Sequence, residues 1–126
     1  YLGASEDVDL TGGVIAAQTG TIQASYIAES GATLVEFATP DESIAAVRNG
    51  EADAVLADGS FLQPIADQDA DLMIIGDPVP LGGGVGMGVR ESDAELKAKF
   101  DAAIESMKAD GTLNAMIEKW EVSTTW

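Results

Sequence analysis

Between Gly13 and Asp58 the chain alternates short apolar runs with sharply punctuated helical segments, and that alternation leaves few architectures open to it. "GVIAAQ" (13–18), "ATLVEFA" (32–38) and "ADAVLAD" (52–58) read as strands. The first gap holds a helix with Thr21 as N-cap, Ile22, Tyr26 and Ile27 on one face, and Gly31 as its stop. The second is marked more strongly. Thr39 caps it, Pro40 takes the first helical position, Glu42 completes a capping box and Gly50 ends it. This βαβαβ series predicts an α/β fold with a mostly parallel sheet and flanking helices, because parallel strands need helical crossovers. Ligand sites in such sheets lie beyond the carboxyl ends of the strands.

Two more runs, "LMIIGD" (72–77) and "GMGVR" (86–90), read as further strands. A third helix is expected after Ser92, with Glu95 completing a cap and a stripe of Leu96, Phe100, Ala103, Ile104 and Met107. "DGT" (110–112) breaks it before a last helix bearing Leu113, Met116, Ile117 and Trp120. The closing "EVSTTW" reads as a frayed end or a vector remnant.

Composition removes several function classes. With 22 acidic and 6 basic residues the formal net charge is −16, which repels nucleic acid and anionic lipid. The absence of Cys and His excludes thiol nucleophiles, Ser-His-Asp triads, disulfides and ordinary zinc sites. No apolar run approaches the roughly 20 residues of a spanning helix, and neither a signal-peptide pattern nor a covalent membrane anchor is visible. A start at Tyr1 suggests a processed product or a piece of a longer chain.

The glycine-rich "PLGGGVGMGVR" (80–90) invites a phosphate reading and does not sustain it. The dinucleotide pattern G-x-G-x-x-G fails from Gly82 at Met87 and from Gly84 at Val89. Gly83 and Gly88 have P-loop spacing, but Val89 stands where lysine is required. Asp67, Asp69 and Asp71 occupy the first three positions of a calcium loop, yet Leu72 replaces its glycine and Pro78 its bidentate glutamate. No cofactor or metal is expected.

Asp58 ends the third strand and either opens the turn "DGS" or presents a carboxylate at the ligand edge. A phosphoacceptor receiver domain would use such an Asp, but it also needs an acidic pair where Gln18-Thr19 stand and a lysine earlier than Lys97.

The motifs "TGT-x-Q" opening a helix, "G-x-x-DAVLAD" and "G-x-G-x-R-x-x-D…ADGT…EKW" carry a closer likeness. Over residues 10 to 120 the chain resembles the second lobe and C-terminal segment of the periplasmic amino-acid-binding proteins of ABC importers. In that family two α/β lobes close on an amino acid, which is then delivered to a membrane permease. The resemblance implies that the hydroxyl and amide of Thr21 and the amide of Ile22 receive the ligand's α-carboxylate, and that Asp58 pairs with its α-ammonium. Many relatives have Thr, Ser or Gly at the Ile22 position, so here only a backbone donor survives. Gln18 falls where relatives touch the ligand side chain; its alternative role is a strand-end amide bonding a nearby loop.

The same resemblance divides the chain into a ligand-binding lobe, 1–87, and a segment, 88–126, in which Met87 to Arg90 form a hinge strand leading to helices that pack on a first lobe. That first lobe, with its carboxylate-clamping Arg and covering aromatics, is absent, and neither Arg48 nor Arg90 replaces the clamp. Leaving Leu96, Phe100, Ile104 and Met107 uncovered would cost about 6 to 12 kcal/mol. These helices are therefore expected to dock against another copy of the chain, for instance as a swapped dimer through residues 92–120, or to form a disordered, alternatively packed tail. The competing expectation is an enzyme of the same fold, such as a cyclohexadienyl or arogenate-type dehydratase, for which Glu29, Glu36 and Asp77 are the available acids.

Overall fold

The computed structural model describes residues 1–120, so the closing "EVSTTW" lies outside the described residues. The chain forms two compact units that part after Gly82, the first from Tyr1 and the second from Gly83 onward. In chain order the first unit holds β1 (Leu2–Gly3), β2 (Val14–Gln18), α1 (Ile22–Ser30), β3 (Thr33–Phe37), α2 (Pro40–Arg48), β4 (Ala54–Val55), α3 (Gly59–Gln68) and β5 (Met73–Ile74). The second holds α4 (Ala94–Asp110) and α5 (Thr112–Trp120).

The described strands form one five-stranded sheet in the order β3-β2-β4-β1-β5. β2 pairs in parallel with β3 and with β4, while β1 runs antiparallel to both β4 and β5. Four strands therefore share one direction and β1 alone is reversed. Period-two alternation on β2 sorts side chains between two cores. Ile15 and Ala17 join Ala24 and Ile27 of α1 on one face, and Ala16 joins Ile44, Val47 and Leu62 of α2 and α3 on the other. The result is three layers, with the alanines of β2 letting both helical layers approach the backbone.

Local signals explain the two best-formed helices. The Thr21 side chain accepts from the Ala24 N–H, and Gly31 closes α1 with a φ of 95° that only glycine adopts freely. α2 has the full capping box, with Thr39 Oγ1 accepting from Glu42 N and Glu42 Oε2 accepting from Thr39 N. Asn49 is its C-cap, one residue before the expected Gly50.

Several expectations are corrected. The run 86–90 is not a strand: residues 83–89 carry no regular structure, and Val85 is 97% exposed. No described strand pairs with it, and a run containing Gly86 and Gly88 loses more chain entropy on straightening than unpaired backbone returns. Residues 59–68, of which sequence reasoning covers only the turn "DGS" at one end and the acidic run from Asp67 at the other, form α3, with Pro64 inside it and Leu62 buried beneath it. Asp67 is therefore helical and accepts from Gln63, while Asp69 is bound by the Arg48 guanidinium at 2.7 Å, so the calcium-loop spacing does not bring these carboxylates together. β1 was not anticipated. α4 starts from Asp93 and not Ser92, and the Asp93 carboxylate does not cap it but accepts from Arg90 Nε at 2.8 Å. Within the second unit both helices are formed, and neither buries a residue fully; Leu96 and Phe100 remain exposed.

Candidate functional site

The site follows from the winding of the sheet. From β2 the chain passes to β3 on one side, and from β3 it returns across β2 to β4 on the other. The segment after β2 leads into α1 on one face of the sheet, and the segment after β4 leads into α3 on the opposite face. Two adjacent parallel strands whose exits diverge leave a crevice beyond their carboxyl ends. A cleft of about 280 Å³ lies there, lined by Gln18, Thr21 and Gln23 from the β2–α1 side, Pro40 and Ser43 from α2, and Val55 to Asp58 with Phe61 from the β4–α3 side.

Each polar group in it has a definite assignment. Thr21 Oγ1 donates to the Gln18 carbonyl at 2.7 Å and accepts from Ala24 N at 3.2 Å. Its hydroxyl hydrogen is thus committed within the fold, which leaves the backbone N–H groups at the start of α1 as the donors available to an anion; those of Ile22 and Gln23 have no intrahelical acceptor. The Gln18 side chain donates through Nε2 to the Ala38 carbonyl at 3.1 Å. This is the loop-bonding role weighed from the sequence, and the residue lines the cleft as well.

Asp58 occupies the N-cap position of α3, yet its side chain makes no capping bond. Its Oδ1 instead accepts from Gln23 Nε2 at 2.7 Å, across the crevice from one strand exit to the other. A carboxylate that could serve its own helix is turned into the cleft, and it is the sole ionisable side chain among the lining residues.

Of the residues singled out from the sequence, Gln18, Thr21 and Asp58 come together in the lining, and Ile22 does not. Ile22 is 54% exposed, and its backbone amide is the group the resemblance assigned to binding. Glu29, Glu36 and Asp77, the acids an enzyme would have drawn on, are not lining residues. Sequence reasoning missed Gln23, Ser43 and Phe61. Gln23 was visible as the last letter of "TGT-x-Q", two residues after the cap, and Phe61 stands one helical turn beyond Asp58.

Comparison with known proteins bears on this geometry. A family model for bacterial extracellular solute-binding proteins, family 3, matches residues 15–123. The chain belongs to this family. The L-arginine-binding protein of Pseudomonas aeruginosa is 31% identical over 116 residues, covering 86% of this chain and 45% of that protein. The lysine/arginine/ornithine-binding periplasmic protein of Escherichia coli is 31% identical over 112 residues, covering 80% of this chain and 43% of that protein. The chain thus spans under half the length of these relatives, which are named as binding proteins and not as enzymes. A crystal structure of a periplasmic His/Glu/Gln/Arg/opine family-binding protein from Silicibacter pomeroyi, in complex with lysine, superimposes with a TM-score of 0.86 at 66% identity, over 99% of this chain and 57% of that one. No described helix is long and apolar enough to cross a membrane.

Proposed function

We propose that this chain is the second lobe and C-terminal segment of the periplasmic solute-binding component of an amino-acid ABC transporter. In this reading the protein does no chemistry. It captures an L-amino acid between two lobes and delivers it to the membrane permease. The α-carboxylate is received by the backbone N–H groups at the start of α1, Thr21 and Ile22 among them, where the helix dipole favours an anion. The α-ammonium is received by Asp58 in a charge-assisted bond.

The observation that carries the reading is the Asp58 carboxylate, turned away from its own helix and into a cleft whose other edge offers unpaired amide donors. An amino acid's two charged ends match a donor edge facing an acceptor edge. Because contacts in a clamp are shared between lobes, the chain by itself should bind far more weakly than the full-length protein.

Calorimetric titration of the full-length protein with the twenty amino acids, before and after Asp58→Ala, tests the assignment. At least one L-amino acid should bind, and the substitution should weaken it by a factor of about ten to a hundred, the worth of a hydrogen bond between charged groups. Unchanged affinity in Asp58→Ala would remove Asp58 from the site.

A further inference from the structure

The Asp58 carboxylate has two partners within its reach by position, the start of its own helix and the far side of the cleft. At φ −61° and ψ 134° its backbone has the extended form of a working N-cap, and aspartate is among the residues that fill that position best. A capping carboxylate would accept from the N–H of Ser60 or Phe61, the second and third residues of α3. Here the Asp58 carbonyl serves the helix, taking the N–H groups of Phe61 and Leu62 at 3.0 Å each. The carboxylate makes no cap bond and accepts from Gln23 Nε2 at 2.7 Å instead.

The two ends of that bond are held unequally. Asp58 is exposed, so packing restrains its side chain little. Gln23 is half-buried and belongs to α1, whose Ala24 and Ile27 are fixed in the core. A carboxylate accepts and does not donate, so the bond also sets which end of the Gln23 amide faces Asp58. Gln23 is the anchor and Asp58 the group that is held. We infer that Gln23 is a positioning residue: its side-chain amide keeps the Asp58 carboxylate in the cleft and away from the start of α3, so that an arriving ammonium meets an acceptor already aimed at it. The α3 cap and the cleft compete for one carboxylate, and Gln23 settles the competition in favour of the cleft. The inference rests on the function proposed above, which gives Asp58 the ligand's α-ammonium, and adds the residue through which that role depends on α1.

The test is calorimetry on the full-length protein with the twenty L-amino acids, for the unsubstituted protein, Gln23→Met, Asp58→Ala and the double variant. Gln23→Met keeps the length of the side chain and the backbone N–H and removes the amide. For the amino acid bound most tightly it should weaken binding about three- to tenfold, the cost of ordering one released side chain when the ligand binds. Added to Asp58→Ala, the same substitution should change affinity by less than about twofold, because its effect passes through the carboxylate. A direct contact between Gln23 and the ligand would keep its effect in the Asp58→Ala background. Gln23→Glu keeps the shape, replaces the donor with a second carboxylate, and should weaken binding at least as far as Gln23→Met. Stability gives a separate readout: in Gln23→Met the released carboxylate is free to cap α3, so the urea midpoint should hold or rise, whereas damage to the fold would lower it. Full affinity in Gln23→Met and Gln23→Glu, an effect of Gln23→Met that survives Asp58→Ala, or a midpoint that falls together with affinity would overturn the inference and leave the proposed function standing. Full affinity in Asp58→Ala, or no amino acid bound at all, would fault the underlying reading and this inference with it.

Discussion

Two residues at the ligand edge stand at helix N-caps, Thr21 and Asp58, and the structure gives them opposite energetic roles. Thr21→Val preserves shape and removes both hydrogen bonds of the hydroxyl, the cap to Ala24 N and the bond to the Gln18 carbonyl. Loss of an N-cap typically costs about 1 kcal/mol, and a second ordinary hydrogen bond adds about 0.5 to 1.5 kcal/mol. The sum, about 1.5 to 2.5 kcal/mol, is a sizeable part of the roughly 5 to 15 kcal/mol that holds a domain folded. With a urea slope of about 1.5 kcal/mol/M, the unfolding midpoint should fall by about 1 M or somewhat more. Asp58→Ala, at a cap position without a cap bond, loses only an exposed bond to Gln23 and should shift the midpoint by a small fraction of that. Circular dichroism is the proper probe, because the tryptophans stand at positions 120 and 126, far along the chain from this unit. Thr21→Ser retains the hydroxyl and should unfold close to the unsubstituted protein. The reasoning is refuted if Thr21→Val unfolds at the original midpoint, or if Thr21→Ser is as destabilised as Thr21→Val.

The other predictions concern the fold that holds this edge. Ile27→Ala removes a side chain with no exposed surface from the α1 core and should cost about 2 to 5 kcal/mol in urea unfolding; a loss below about 1 kcal/mol would mean that the face is packed differently. Thr39→Ala breaks the capping box of α2 and should cost about 1 kcal/mol by the same assay, whereas Thr39→Ser should not. Asp9 is held below the ordinary carboxylate range by the Thr11 hydroxyl and then by the N–H groups of Thr11 and Gly12, and Asp69 by the Arg48 guanidinium and then by Asp71 N–H. A carboxylate whose folded pKa is depressed stabilises the fold above its unfolded pKa and loses that contribution as pH falls through the folded value. Relative to the unsubstituted protein, Asp9→Asn should therefore be less stable at neutral pH, with the gap closing below about pH 4; urea midpoints from pH 6 to pH 2.5 that keep the gap constant would contradict this.

What could be read from the sequence was what short-range chemistry decides. Thr21 and Gly31, then Thr39, Pro40 and Glu42, bound their helices through contacts within a few residues, and the structure keeps them all. β2 and β3 were legible for the same reason, as apolar runs between those bounds. The misses depend on distant partners. β1 is two residues long and exists because Leu2 meets Val55 on one side and Ile74 on the other. The alternation at 86–90 satisfies the strand pattern but has no neighbour to complete a ladder. α3 was hidden by Pro64 and the aspartates that follow it, although Leu62, Ile65 and Ala66, which pack on the core, already had helical spacing. At the site, Asp58 was visible as a charge ending an apolar strand, while its link to Gln23 joins residues 35 positions apart and leaves no local trace.

That contrast bears on how such a site can change its ligand. The donors at the start of α1 are backbone groups, fixed by helix geometry and by the Thr21 cap, and almost any residue at position 22 would leave them in place; here it is Ile22. The side-chain amides of Gln18 and Gln23 donate to the Ala38 carbonyl and the Asp58 carboxylate, and those bonds fix their direction in the cleft. In the proposed reading, a substitution at position 18 would alter the side-chain groups facing the cleft and leave the donors at the start of α1 in place, whereas a substitution at Thr21 would weaken the fold and that edge together. On that reading ligand preference and lobe stability would be carried by neighbouring residues through separable bonds. The two should part experimentally: Gln18→Met, which loses one exposed bond to Ala38, should change ligand affinity with only a small shift of the unfolding midpoint, and Thr21→Val should lower the midpoint by about 1 M while leaving the order of preference among ligands intact.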